Sequence, residues 1–182
     1  MADDDCPLKH VTIYTDGACI GNPGPGGYGV VLLYGPKRRE ISGGFRLTTN
    51  NRMEMMAAIV GLRALRYQCS VTVYTDSQYL VNGITKGSAK RWRANGWRRK
   101  QGARRRNADL WELLLDLCAH HEVTFEWIRG HAGHEENEVC DRLSVCAAEG
   151  KGLPVDEGYE GEGQRPAMRD EPDQVLLPMD EG

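Results

Sequence analysis

Apolar and polar residues alternate along residues 11–16, which is the pattern of a β-strand with one buried face. The chain then turns to glycine and proline (GACIGNPGPGG), and two further strand patterns follow at residues 28–34 and 40–48. Gly35 and Pro36 separate these two patterns and indicate a tight turn. Short connections between three consecutive strands predict an antiparallel meander.

The pattern changes to a helical period after Thr49. Apolar residues recur at helical spacing as Met53, Met56, Ala57, Val60 and Ala64, and a strand pattern follows at residues 71–76. The next segments predict a short helix at 78–84, a helix beginning after Asn107, a fifth strand at 123–129 and a last helix at 135–148. We therefore predict an α/β fold with a mixed five-stranded sheet, three strands antiparallel and then two parallel, flanked by helices.

Charge is distributed unevenly along the 182 residues, whose formal net charge is −3. Residues 149–182 contain ten acidic and three basic residues, so they carry −7 and residues 1–148 carry +4 by difference. A basic body is typical of a protein that binds a polyanion. The composition predicts a short acidic extension at 1–8, one domain at 9–148 and an acidic, disordered tail at 149–182.

The sequence shows no pattern of a membrane-spanning helix, a secretory signal or a cysteine motif. No apolar run reaches the ~20 residues of a membrane-spanning helix, and the acidic N-terminus lacks the layout of a secretory signal. Six cysteines occur without a CxxC pair or a zinc-like spacing, which favours reduced thiols. We therefore expect a cytoplasmic protein that acts without a membrane, and we expect a monomer.

Two strand patterns end in the same way, with Tyr-Thr-Asp at Asp16 and at Asp76. If these strands lie side by side, both carboxylates emerge at one edge of the sheet, where Glu54 and Asp141 could complete a cluster of four acids. Grouped carboxylates stay ionised only beside cations, and oxygen ligands suit Mg²⁺ or Mn²⁺ rather than zinc. Each acid also has a structural explanation, as a turn or capping residue, as an acid in the first turn of a helix, or as the partner of a nearby arginine.

Four sequence blocks decide between these explanations: TDGACIGNPGPGGYG, TTNNRMEMMAAIVGL, VYTDSQYLVNGI and WIRGHAGHEENEVCDRL. In content, order and interval they resemble the motifs of the type 1 ribonuclease H family, over about residues 10–148. The resemblance is to bacterial-style members without the extra N-terminal hybrid-binding domain that some relatives carry. One departure is Ala18, where many relatives have serine, and it puts one minor hydroxyl contact in doubt.

The resemblance implies a ribonuclease H-like fold and an endonuclease that hydrolyses the RNA strand of an RNA–DNA hybrid, leaving 5′-phosphate and 3′-hydroxyl ends. It implies two Mg²⁺ ions ~4 Å apart, which Mn²⁺ could replace, to activate water and stabilise the leaving oxygen. The implied metal ligands are Asp16, Glu54, Asp76 and Asp141. The implied role of His131 is to assist proton transfer or product release, although it could be an ordinary loop histidine.

The resemblance also implies contacts with both strands of the hybrid. Residues near the scissile phosphate would be Cys19, Asn22, Asn51 and Gln78, and residues that hold a phosphate of the DNA strand would be Thr49 and Asn50. Recognition of 2′-hydroxyl groups in the minor groove distinguishes RNA from DNA without base readout. The resemblance therefore predicts sequence-independent binding of the hybrid.

A basic stretch at residues 85–106 contains ten Lys and Arg residues, no acid and two tryptophans. Its position resembles that of the family's basic protrusion, at about residues 86–106. Solvated helix faces usually mix both signs of charge, so this composition favours contacts with phosphate groups, for which the candidates are Arg98, Arg99, Lys100, Arg104, Arg105 and Arg106. A solvated face is the alternative. Trp92 and Trp97 are expected to pack the protrusion onto itself or onto the body.

Two rival functions have to be separated from hybrid cleavage. A binding module of the same fold would not need all four acids and the histidine. Other nucleases and transposases of this superfold are not expected to combine GNPGPGG with NNRMEMM. Incubation of one labelled hybrid with and without EDTA, beside the matching DNA and RNA duplexes, distinguishes the three functions.

Overall fold

A computed structural model describes residues 7–100 and 102–161. Its strands are β1 (His10–Cys19), β2 (Gly24–Tyr34), β3 (Lys37–Thr48), β4 (Ser70–Thr75) and β5 (Glu122–Trp127). Its helices are α1 (Asn50–Arg63), α2 (Gln78–Thr85), α3 (Ser88–Ala94), α4 (Ala108–His120), α5 (Glu135–Ala148) and α6 (Glu157–Glu160). Within these described residues, no helix combines the length and the apolar character needed to cross a bilayer.

The five strands form one mixed sheet in the order β3-β2-β1-β4-β5. The pairs β1–β2 and β2–β3 are antiparallel, whereas β1–β4 and β4–β5 are parallel. Helix α1 packs against Ile13 on one face of β1, and the thiol of Cys140 in α5 donates to the carbonyl oxygen of Tyr14 at 3.2 Å. The predicted α/β architecture is therefore confirmed, with β1 at the centre of the sheet.

The glycine-rich segment after Asp16 is mostly strand rather than loop. Strand β1 continues three residues beyond Asp16, which pairs with Gly29 in β2. A Cβ atom at Gly29 would overlap the backbone carbonyl of Cys140, so the glycine allows α5 to lie directly on the sheet. The prediction that the strand ends at Asp16 is wrong, and Asp16 lies inside the sheet, 7% exposed.

The chain beyond α5 folds back onto the body, and we call residues 150–161 the C-terminal strap. The backbone N–H of Arg46 donates to the carbonyl oxygen of Pro154 at 2.9 Å, and Arg46 also pairs with Glu160. Asp156 is 2% exposed. The prediction of a disordered tail from residue 149 is therefore wrong for residues 149–161. Residues 162–182 of that predicted tail and residues 1–6 of the acidic extension lie outside the described residues.

A buried ion network fixes the strap to the domain. The guanidinium of Arg52 donates to both carboxylate oxygens of Asp156, at 2.7 and 2.8 Å, and to both of Asp109, at 3.0 and 2.7 Å. The hydroxyl of Thr48 donates to Asp156 at 2.6 Å. Paired, two-pronged bonds of this kind compensate an arginine for the loss of water. The strap therefore supplies a counter-charge that the interior of the domain requires.

Candidate active site

Three carboxylates meet at the junction between the antiparallel and the parallel part of the sheet. Asp16 lies on β1, Glu54 lies in α1, and Asp76 follows β4 directly. The parallel register of β1 and β4 places Thr15 opposite Thr75, so the acids that follow them are neighbours. One oxygen atom from each of the three acids lies within 4.8 Å of the others. Three of the four predicted metal ligands are therefore brought together.

Burial and mutual repulsion make this cluster difficult to ionise. Burial, followed by the charge of Asp76, raises the pKa of Asp16 to about 7. Burial, followed by the charge of Asp16, raises the pKa of Glu54 well above its usual range. Burial also raises the pKa of Asp76, while a hydrogen bond to its own backbone and, to a smaller extent, the electrostatic effect of nearby His131 oppose that rise. Three ionised acids at this distance need a cation to offset their repulsion.

Two neighbouring groups orient the carboxylates. The backbone N–H of Gly17 donates to Oδ1 of Asp16 at 2.8 Å, and the side-chain amide of Asn50 donates to Oε1 of Glu54 at 3.4 Å. The other oxygen of Glu54, Oε2, is buried and has no hydrogen-bond partner among the described residues. An unpartnered carboxylate oxygen in a buried acidic cluster fits a bound divalent cation.

Asp141 and His131 lie at the edge of this cluster. Asp141 is on α5 and is not one of the three acids whose oxygens group within 4.8 Å, but its charge contributes to the raised pKa of Asp16 and of Asp76. His131 lies in the exposed loop before α5 with a φ of 54°. It lies close enough to Asp76 to interact with that carboxylate electrostatically.

A basic pocket of about 570 Å³ lies beside the N-terminus of α1. Six of the predicted hybrid-binding residues line it: Asn22, Thr49, Asn51, Arg104, Arg105 and Arg106. Arg98 instead borders a smaller pocket with Trp97 and Arg104, and the backbone of Arg99 bonds to Ala103. The other predicted contacts, Cys19, Asn50, Gln78, Arg99 and Lys100, do not line the basic pocket. The structure therefore groups part of the predicted set.

The tryptophans hold the basic segment onto the body, as predicted. The ring of Trp92 meets Trp111 edge to face at 5.9 Å between ring centroids, and the guanidinium of Arg105 lies 4.5 Å above Trp92. The indole N–H of Trp97 donates to Glu112 in α4. These contacts position the arginines at the rim of the basic pocket.

Arg52, Asp109 and the strap residues Gly158 and Tyr159 also line the basic pocket and were not predicted as functional. The available signal was Arg52 itself, a long cation in the helical stretch RMEMMAAIVGL, where Glu54 is the only other charged residue. Such a residue requires a buried partner, but its partners lie 57 and 104 positions away in the sequence. Sequence spacing alone does not indicate them.

Comparison with known proteins identifies the family. The RNase H family model matches residues 8–149. The ribonuclease H of Rippkaea orientalis is 65% identical over 160 residues, which cover 88% of this chain and 98% of that protein. The ribonuclease HI of Synechocystis sp. is 55% identical over 150 residues, which cover 82% of this chain and 94% of that protein.

Two solved structures agree with this result. LC9-RNase H1, described as a type 1 RNase H with the type 2 active-site motif, has a TM-score of 0.72 at 35% identity and covers 88% of this chain and 83% of its own. LC11-RNase H1, solved in complex with an RNA/DNA hybrid, has a TM-score of 0.54 at 25% identity. The match covers 76% of this chain and 96% of the LC11-RNase H1 chain. The mixed sheet and its acidic junction define the ribonuclease H-like class of α/β proteins. Within it, the chain belongs to the type 1, bacterial-style ribonuclease H family.

Proposed function

We propose that this protein is a metal-dependent endonuclease that hydrolyses the RNA strand of RNA–DNA hybrids. The main observation in support is the cluster of Asp16, Glu54 and Asp76. Within it, a buried carboxylate oxygen of Glu54 has no hydrogen-bond partner among the described residues. Membership of the ribonuclease H family supports the reaction, and the hybrid bound to LC11-RNase H1 supports the substrate.

The acids would hold two Mg²⁺ ions, or Mn²⁺ in their place, with Asp141 completing the ligand set from α5. When bound, the ions would activate the attacking water and stabilise the leaving 3′-oxygen, so that the products carry 5′-phosphate and 3′-hydroxyl ends. The hydrogen bonds from Gly17 and Asn50 each fix one carboxylate oxygen and thereby orient the acid for its ligand. His131 would assist proton transfer or product release from the exposed loop.

The basic pocket would receive the DNA strand of the hybrid. Arg104, Arg105 and Arg106 line one side of it and Thr49 and Asn51 another, so a phosphate group could meet cations and polar side chains together. Asn50 is proposed to hold a phosphate of the DNA strand together with Thr49. Proposed contacts near the scissile phosphate are Cys19, Asn22, Asn51 and Gln78, and proposed contacts further along the protrusion are Arg98, Arg99 and Lys100. Contacts with phosphates and 2′-hydroxyls do not read bases, so binding would be sequence-independent. All these residues belong to one chain, which suits a monomer.

The function is tested with one hybrid labelled on its RNA strand. We expect the RNA strand to be cut with Mg²⁺ and left intact with EDTA, while the matching DNA duplex and RNA duplex remain uncut. Binding of the hybrid without cleavage in Mg²⁺ or Mn²⁺ would identify a binding module. Cleavage of the DNA duplex would place the protein among other nucleases of this fold.

Replacement of His131 by alanine is expected to reduce kcat while leaving measurable cleavage, because a group that assists proton transfer typically contributes about 10²–10⁴-fold. The matched control is His134→Ala, since this second loop histidine makes no side-chain capping bond to α5. Single-turnover and steady-state rates separate the chemical step from product release. A complete loss of activity in His131→Ala would instead indicate a metal ligand or a structural residue.

Replacement of Arg104, Arg105 and Arg106 together by alanine is expected to raise KM severalfold and leave kcat nearly unchanged. The reason is that uniform binding is removed while the acid cluster is intact. Each lost phosphate contact should also reduce the slope of log affinity against log salt by about 0.7–0.9.

The control for this triple variant changes Lys9, Arg63 and Arg66 together to alanine. It removes the same charge at the start of β1 and the end of α1, which are the ends away from Asp16 and from the basic pocket. Circular dichroism of both triple variants checks the fold, because Arg105 also packs on Trp92. Equal effects of the two triple variants on KM would show that net charge acts, rather than the pocket. A collapse of kcat at saturating hybrid would show that the protrusion aligns the scissile phosphate.

A further inference from the structure

We infer that the C-terminal strap positions the start of α1, where Thr49, Asn50 and Asn51 form what we call the turn. Asp156 is the residue through which the strap acts. The inference deepens the proposed function and rests on it, because the ligand of this turn would be the hybrid. It assigns a role in substrate binding to a segment that lies beyond the last helix of the four sequence motifs. Asp156 itself would not touch the substrate, so it would be a positioning residue.

A single carboxylate ties both sides of the turn together. Thr48, the last residue of β3, donates its hydroxyl to Asp156 at 2.6 Å. Arg52, in the first turn of α1, donates to the same carboxylate at 2.7 and 2.8 Å. The three residues between these two anchors are the proposed contacts with the hybrid. Because Thr48, Arg52 and Asp156 are all at most 2% exposed, these bonds are shielded from water.

The side chains of the turn itself give it little support. Thr49 occupies the N-cap position of α1, yet its side chain makes no capping hydrogen bond. The side-chain amide of Asn50 donates to Glu54 at 3.4 Å, and the backbone N–H of Asn50 donates to Oδ1 of Asn22, on the exposed loop before β2, at 3.3 Å. A helix start without a side-chain cap loses one of its usual constraints. The bonds to Asp156 therefore add a buried side-chain constraint to the backbone bonds that the carbonyl oxygen of Thr49 accepts from Arg52 and Met53.

The strap also forms part of the pocket wall. Gly158 and Tyr159 face the same pocket as Thr49, Asn51 and the arginines. A Cβ atom at Gly158 would overlap a carboxylate oxygen of Asp109, so only glycine allows the strap to pass this close to the ion network. Movement of the strap would therefore change the shape of the pocket as well as the position of the turn.

The acid cluster should be affected less than the turn, to which it is joined by the 3.4 Å bond from Asn50 to Glu54. Asp16 and Asp76 are positioned by the central strands β1 and β4. Helix α1 is held by Met53, Met55 and other fully buried residues in addition to Arg52. Loss of the Asp156 bonds should consequently weaken hybrid binding more than it changes the rate at saturation. That split between KM and kcat distinguishes positioning of the turn from a general loss of structure.

The test uses Asp156→Asn and Thr48→Val in the full chain. The first variant keeps the side-chain shape and loses the charge, and the second removes only the hydroxyl at the other end of one bond. The matched control is Glu160→Gln, which weakens an exposed ion pair with Arg46 in the same strap. Circular dichroism melting fixes an assay temperature at which every variant is fully folded.

Dissociation constants for a fluorescent hybrid in EDTA, together with KM and kcat in Mg²⁺, are the readouts. We expect Asp156→Asn and Thr48→Val each to raise Kd and KM by about two- to tenfold, the effect of one hydrogen bond, with kcat within about twofold. The double variant should be less than additive, because both changes interrupt one contact. Glu160→Gln should match the wild type.

Wild-type Kd and KM in folded Asp156→Asn would overturn the inference, and so would an equal effect of Glu160→Gln. A loss confined to kcat would overturn it as well, since the acid cluster would then be the affected site. These outcomes differ from failure of the proposed function. A wild-type protein that binds the hybrid without cutting it would refute the chemistry and leave the Kd comparison valid, and a wild-type protein that does not bind it would refute both.

Discussion

Replacement of Asp16 by asparagine is expected to abolish nearly all hybrid cleavage while the fold is retained. Asp16 lies on β1 within the three-acid cluster, and asparagine keeps its shape but removes the charge that a cation between the acids requires. The loss should exceed that of His131→Ala, which would remove an assisting group rather than a ligand. Gel analysis of the labelled hybrid at saturating Mg²⁺ measures the difference, and Asp76→Asn should behave in the same way.

The same substitution is expected to stabilise the protein in EDTA at alkaline pH. The pKa of Asp16 is raised from its usual 3.8 to about 7, so its cost to stability is absent below about pH 4, grows as the pH rises from about 4 to 7 and is complete above about pH 7. The whole interval corresponds to about 4 kcal/mol at most, and partial relaxation of the site should leave about 2 kcal/mol. Urea unfolding at pH 5 and pH 8 covers the upper part of this interval, so wild type should lose about 1 kcal/mol between them and Asp16→Asn should lose less.

The control for both effects is Glu122→Gln, which removes an exposed acid at the start of β5, at the other end of the sheet from Asp76. It should change neither cleavage nor the dependence of stability on pH. Addition of Mg²⁺ should stabilise wild type at pH 8 and leave Asp16→Asn less affected. Near-normal cleavage by Asp16→Asn would refute the metal-ligand assignment, and equal pH dependence of the two proteins would refute the electrostatic argument.

Truncation after Gly150 is expected to destabilise the protein by about 3–5 kcal/mol, the usual effect of removing one partner from a buried ion pair. The shortened chain would lose Asp156 and leave the guanidinium of Arg52, which is 1% exposed, with one of its two carboxylate partners, Asp109. Thr48 would lose the acceptor for its hydroxyl in the same step. Urea unfolding followed by circular dichroism measures the free energy of unfolding.

The matched control is truncation after Gly161, which removes the acidic residues 162–182 and keeps the strap. Its free energy of unfolding should lie within about 0.5 kcal/mol of the full chain, because this truncation keeps the ion network of Arg52, Asp109 and Asp156. Asp156→Ala in the full chain should reproduce most of the effect of truncation after Gly150. Equal stability of both shortened chains would show that the ion network does not stabilise the domain.

Local patterns in the sequence were sufficient for the order of the five strands and of most helices, and for the pairing of two catalytic candidates. Alternation over six residues reports which side of a strand is buried, because successive side chains point to opposite faces. The repeated Tyr-Thr-Asp endings carried further information. Once β1 and β4 pair in parallel register, Asp16 and Asp76 must be neighbours, and the structure places them so.

Contacts between distant segments were beyond such patterns. The extent of β1 past Asp16 depends on α5 lying on Gly29, and the order of residues 149–161 depends on a counter-charge for Arg52. From sequence alone, an acidic segment rich in glycine and proline is indistinguishable from a solvated tail. The buried ion pair of Arg52 with Asp156 is what shows that this segment is packed. The position of Asp141 outside the closest group of acids likewise follows from how α5 packs.

The sequence by itself determined the order of the strands and most helices, the resemblance to type 1 ribonuclease H and the four candidate acids, since these rest on short-range periodicity and on motif identity. Only the tertiary structure decided which acids lie within one group, which arginines line the basic pocket and that residues 150–161 pack onto the domain. The physical reason is that burial and charge compensation are properties of neighbours in space. Arg52 and Asp156 are separated by 104 positions in the chain, and only the folded domain brings their guanidinium and carboxylate into contact.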